Sequence, residues 1–93
     1  MSTTLEKVKN FIFKRGEDYR NTFDDSSESA KNVLKDLESF CRANESTFNP
    51  DPRIHAVLEG RREVYLRIRD QLVLSNDELW AKYSTNKGKL NDN

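Results

Sequence analysis

Asp51-Pro52-Arg53-Ile54-His55-Ala56-Val57-Leu58-Glu59-Gly60-Arg61-Arg62-Glu63-Val64-Tyr65-Leu66-Arg67-Ile68-Arg69-Asp70-Gln71-Leu72 decides the fold. Asp51 is a capping residue and Pro52 suits the first helical position, so a helix starts here. Ile54, Val57, Leu58, Tyr65, Ile68 and Leu72 then recur at helical spacing, which predicts one long helix to about Val73. Val64 flanks that stripe, and Leu66 lies further round. Arg61 falls inside the stripe, where a buried charge needs a partner. Asp36, Glu38 or loop carbonyls near Phe48 are candidates. Gly60 beside it would allow a close backbone approach. The expectation is that Arg61 pins the Asn44–Pro50 loop, while Arg62, about 100° round the helix, faces solvent.

Working outward, Leu5, Val8, Ile12, Tyr19 and Phe23 form a stripe over about Thr4 to Phe23, widened by Phe11. Phe13 falls off it. Gly16 weakens this helix and predicts a bend or break near Lys14–Glu17. Asp25 with Glu28 has capping-box spacing, although Ser26 or Ser27 could also cap. The helix that follows, to about Arg42, carries Ala30, Val33, Leu34, Leu37, Phe40 and Cys41 on one face. Phe48 stands alone in a polar loop and reads as a plug at the core edge. Ser75 and Glu78 form a second capping box, with Leu74 and Leu79 placed as a hydrophobic staple. A short helix over about Asn76 to Tyr83 should dock Leu79 and Trp80, being too short to stand alone in water.

These elements predict an all-α fold: a small bundle of three main helices plus a short C-terminal helix. Its core should come from Val33, Leu34, Leu37, Phe40, Ile54, Leu58, Tyr65, Ile68 and Leu72. The organisation read from the sequence is an N-terminal helix over 1–18 bent near Gly16, a core helical domain over 19–83, and a flexible tail over 84–93.

The chain has 93 residues, with hydrophobic and charged shares both at 34%. That implies a thin core, which an oligomer or partner would complete. Lys+Arg and Asp+Glu are 16 each, so net charge gives no argument for nucleic acid. Residues 23–51 hold seven acids against three bases, whereas 1–22 and 53–73 each hold five bases against three acids. Such a distribution fits internal complementarity or a bipolar surface for self-assembly. No apolar run approaches the ~20 residues of a membrane span. The first residues lack the basic-then-apolar order of a signal peptide, so a cytosolic site of synthesis is expected.

The residue chemistry gives little to an enzyme. His55 is the only histidine, so two-His metal sites and a Ser-His-Asp triad are out of easy reach. Cys41, the only cysteine, lies on an apolar face and reads as a buried, inert thiol. Gly16, Gly60 and Gly88 are isolated, so no phosphate loop exists. Asp24-Asp25 reads as turn and cap residues. No cofactor is expected. Arg62, Arg67 and Arg69 could meet phosphates, but Glu59, Glu63 and Asp70 interrupt that surface and favour a solvated face.

Tyr19 and Phe23, Val33-Leu34-Lys35-Asp36-Leu37, Phe40-Cys41, Thr47-Phe48-Asn49-Pro50-Asp51-Pro52 and above all Glu59-Gly60-Arg61-Arg62-Glu63-Val64 together resemble the Bbp-nineteen-like small conserved domain of tailed bacteriophages. Related sequences often carry a glycine before the Val-Leu pair, where this chain has Ser29-Ala30-Lys31. The resemblance spans about Tyr19 to Leu74. It implies a phage-encoded protein, whose relatives tend to lie among packaging and virion-assembly genes, with no established enzymatic activity and no catalytic residues to carry over. Two readings follow. One is a virion-associated or morphogenesis accessory that binds other phage structural proteins, with homo-oligomerisation open, present in the host cytoplasm during infection. The other is a nucleic-acid-binding factor for packaging or host takeover. Gly60, Arg61, Arg62, Arg67, Arg69, Phe48 and Trp80 are the candidate contact or structural residues.

Overall fold

The computed structural model describes the backbone of residues 3–92 and the side chains of residues 3–84. Four helices follow in order: α1 (Thr4–Thr22), α2 (Glu28–Phe40), α3 (Pro52–Val73) and α4 (Asn76–Asp92). No strand occurs among the described residues, so the chain is all-α as expected.

Local chemistry sets the helix starts. Thr3 Oγ1 accepts from Glu6 N at 3.1 Å ahead of α1. Of the candidate caps for α2, Ser27 is the one used, its Oγ accepting from Ala30 N at 3.2 Å. Asp51 Oδ1 accepts from Arg53 N at 2.9 Å, with Pro52 first in α3. Ser75 and Glu78 close a reciprocal box at 3.0 and 3.2 Å. Each satisfies N–H groups that a helix start leaves without partners.

Two helices end elsewhere than the sequence predicts. α2 stops at Phe40 rather than near Arg42 because Arg42 turns left-handed, with φ at 52°. Arg42 N then donates to Ser39 O and Ala43 N to Glu38 O, the paired bonds of a Schellman stop. α4 does not end near Tyr83 but runs to Asp92. Side chains beyond Ser84, within the tail expected over 84–93, lie outside the described residues.

The chain divides into two compact units, Met1–Asn21 with Asp70–Asn93, and Thr22–Arg69. In the first, Ile12, Gly16, Gln71 and Leu79 are buried, and Leu79 has no exposed surface. The break expected at Gly16 does not occur, since α1 is unbroken from Thr4 to Thr22. Gly16 is instead a contact point: a Cβ there would lie 2.8 Å from Leu79 Cδ1. Arg20 Nη1 donates to Gln71 O at 3.4 Å. The Gln71 amide, fully buried, finds no partner for Nε2 or Oε1 among the described residues.

In the second unit, Cys41, Ala43 and Tyr65 form the central cluster, with Leu37 packed on it. Ala30, Leu58 and Thr47 are also buried. Several expected core residues are not: Val33, Phe40 and Ile54 are exposed, and Leu34, Leu37, Ile68 and Leu72 are half-buried. Among the described residues only seven hydrophobic side chains are buried, which makes the core as thin as the composition implies.

Candidate functional site

The face that α3 turns inward within Thr22–Arg69 is not the apolar stripe read from the sequence. It is rotated roughly one residue round the helix axis. Leu58 and Tyr65 are buried, and between and beside them lie His55, Glu59 and Arg62, all half-buried. These three sit at i, i+4 and i+7, one row on a helix. Each takes a polar group of the segment between α2 and α3. His55 Nδ1 lies 3.0 Å from Thr47 O. Thr47 Oγ1 donates to Glu59 Oε1. Arg62 Nε donates to Ala43 O at 3.3 Å. A connecting segment brings carbonyls and hydroxyls to be satisfied, so the helix face that receives it must be polar.

This geometry corrects the expected roles. Arg61 does not pin the loop: it is exposed, and its guanidinium lies 4.7 Å from the centroid of the Phe40 ring. Arg62 is the residue that holds the loop's start. Gly60 admits no close approach, since a Cβ there meets nothing within 4 Å. Phe48 is no plug, being 73% exposed, with its ring tilted against His55 at 6.0 Å. The buried residue of that loop is its neighbour Thr47. Arg67 and Arg69 are exposed. Trp80 is half-buried in the other unit, with Lys9 Nζ 5.2 Å from its ring centroid, and the fully buried anchor of α4 is Leu79.

Tyr65 Oη donates to Glu38 Oε2 at 3.0 Å, joining α2 to α3. Burial first, and then the Glu38 carboxylate, push its phenol pKa upward, with Arg69 opposing.

The rotation leaves a second, outward line on α3. Ile54, Val57, Arg61 and Val64 recur at i, i+3, i+7 and i+10, and all are exposed. The Phe40–Arg61 stack joins this line to α2, where Val33 lies two turns before Phe40 on the same side. A shallow depression of about 530 Å³ runs along Arg53, Ile54, Val57 and Arg61. Arginine set among half-exposed aliphatic and aromatic side chains is the composition that protein interfaces favour. Sequence reasoning missed this face by assigning Val33, Phe40 and Ile54 to the core. The signal was available: α3 has more apolar positions than one face can bury, and Arg61 marks the line that stays outside.

The family match decides what kind of chain carries this face. The Bbp19-like phage protein family matches residues 19–82. The chain belongs to that family. No curated protein and no solved structure matches it. The Bbp19-like span takes in all of α2 and α3, hence the polar row, the loop it holds and the outward apolar line. It leaves Leu5, Val8, Phe11, Ile12 and Arg15 outside. Among the described residues, no helix is long and apolar enough to cross a membrane, and no cluster of three His, Cys, Asp or Glu could hold a metal ion.

Proposed function

We propose that this Bbp19-like phage protein works without catalysis, as an accessory of virion assembly that docks another phage structural protein on the α2–α3 face. It would meet that partner in the host cytoplasm during infection and enter the virion with it. The observation that carries this reading is the outward face itself. Val33, Phe40, Ile54, Val57 and Val64 are each about half exposed or more, in one region centred on Arg61. Contiguous apolar surface of this kind marks an interaction site on a monomer. The face lies inside the span that the family matches.

Nucleic-acid binding draws less support from the same geometry. Arg62 is committed to the loop carbonyl of Ala43, and Glu63 and Asp70 stand on the same helix as Arg67 and Arg69.

Mass spectrometry of purified virions tests the reading. The protein should be present at several copies, and Phe40→Glu should remove it from the particle while leaving its helical circular dichroism intact. Absence from virions, combined with DNA binding that falls steeply with salt, would replace this reading with the nucleic-acid one.

A further inference from the structure

Gly60 has no use inside the chain. A glycine in a helix interior destabilises that helix relative to alanine. At Gly16 the packing gives a reason, because Leu79 Cδ1 comes to 2.8 Å from the position a Cβ would take. At Gly60 nothing among the described residues lies within 4 Å of that position. The opening faces solvent in the middle of α3.

An exposed seam runs through the same point. Arg53, Val57, Gly60, Val64 and Arg67 are spaced 4, 3, 4 and 3, the alternation that keeps one line of a helix turned toward another helix. All five are exposed. Val57 and Val64, 52% and 59% exposed, stand one turn before and one turn after Gly60. Valine is held to one main rotamer in a helix, so covering this pair removes little side-chain freedom. Packed helices lie about 8–10 Å apart, a distance set by the side chains at the contact. A glycine between two valines lets a second helix reach the near end of that range.

The charges around the seam say what that helix carries. Arg53 and Arg67 stand at the two ends, and Arg61 stands beside the middle. Arg53 lies 3.7 Å from the cap carboxylate of Asp51, with its side chain 93% exposed. Among the described residues no carboxylate pairs with Arg61. The acids of α3 are turned elsewhere. Glu59 accepts from Thr47, Asp70 pairs with Lys82, and Glu63 lies about a quarter-turn from the seam. A nucleic-acid backbone would meet the arginines but leave both valines uncovered.

We propose that this seam takes one helix of another phage structural protein, which crosses α3 with its backbone against Gly60 and brings acidic side chains to the arginines. The inference rests on the docking role proposed above and names the contact and the chemistry of the partner. Glycine at the crossing would then be a specificity determinant, since any side chain there holds the second helix away.

Gly60 offers a test in which stability and docking move in opposite directions. Gly60→Ala should raise the denaturation midpoint and yet lower incorporation into virions about tenfold, the order expected when a methyl is forced into a close contact. Gly60→Leu should keep its helical circular dichroism and be absent from the particle. A photocrosslinking benzophenone amino acid at Ala56, exposed and four residues before Gly60, should join the protein in virions to a helical, acid-bearing segment of another virion protein. Incorporation of both Gly60 variants at the wild-type level, with Phe40→Glu excluded, would overturn the contact at Gly60 and leave the docking role standing. Incorporation of all three, or no wild-type protein in the particle, would overturn the docking role and this contact with it. Crosslinks from Ala56 to nucleic acid, or to a second copy of this chain, would also overturn the proposal.

Discussion

In the unit Thr22–Arg69, polar atoms hold a loop against a helix: His55, Glu59 and Arg62 each take one backbone or hydroxyl group. In the unit of Met1–Asn21 with Asp70–Asn93, a glycine lets a leucine come close: Leu79 Cδ1 lies where a Cβ on Gly16 would have to go. The two constructions respond to change in different ways. A polar row tolerates adjustment, because side chains and loop can shift together. A helix contact made through a glycine has no slack, because the atom that would move is on a side chain with no exposed surface.

The largest expected effect is therefore at Leu79. Leu79→Ala should cost about 3–4 kcal/mol, the range for truncating a fully buried leucine. Hydrogen exchange should localise the loss to amides of α1 and α4, with α2 protected as before. Equal loss of protection in α2 would show that the two units unfold as one and would blunt the comparison. Gly16→Ala comes next, at about 2 kcal/mol, since the added methyl must displace Leu79 from a packed site. A neutral Gly16→Ala would mean the contact has more slack than the geometry shows.

What was legible in the sequence was local. Asp51-Pro52 and the Ser75–Glu78 box are contiguous signals, and the structure uses both. What was not legible depended on partners distant in sequence. Gly16 reads as a helix breaker until Leu79 is placed against it. The end of α2 was hidden because its left-handed residue is Arg42 and not a glycine. The inward face of α3 was misassigned for a more general reason. An apolar stripe marks the buried face only when apolar side chains cover it, and here part of the cover is a loop rich in carbonyls. Three polar residues met that loop, and the line of Ile54, Val57 and Val64 was left outside.

The polar row is sharpened by Arg62→Ala, expected to cost about 1.5–2 kcal/mol, as for a partly buried charged donor to a carbonyl. Urea denaturation would read it, and Arg62→Lys should recover only part, because the acceptor is met by Nε. Gly60→Ala should move the other way. Its position is exposed, mid-helix and open around the missing Cβ, so alanine should stabilise by about 1 kcal/mol. The two glycine substitutions thus carry opposite signs, and a shared sign would end the contrast between the units.

The smallest effect on stability is expected at Arg61. Its guanidinium stacks on an exposed ring, a contact worth about 0.5 kcal/mol at such sites. Arg61→Ala should thus leave the denaturation midpoint nearly unchanged, beside the clear loss at Arg62. The proposed docking function makes a different demand on the same substitution. Arg61 stands at the centre of the outward face, where a partner would exclude water from the stack and strengthen it. Virions grown with Arg61→Ala should then incorporate the protein several-fold less, in spite of its intact fold. If Arg61→Ala instead unfolds the protein as Arg62→Ala does, the orientation of α3 described above is wrong. If it changes neither stability nor incorporation, the α2–α3 face is not where the partner binds.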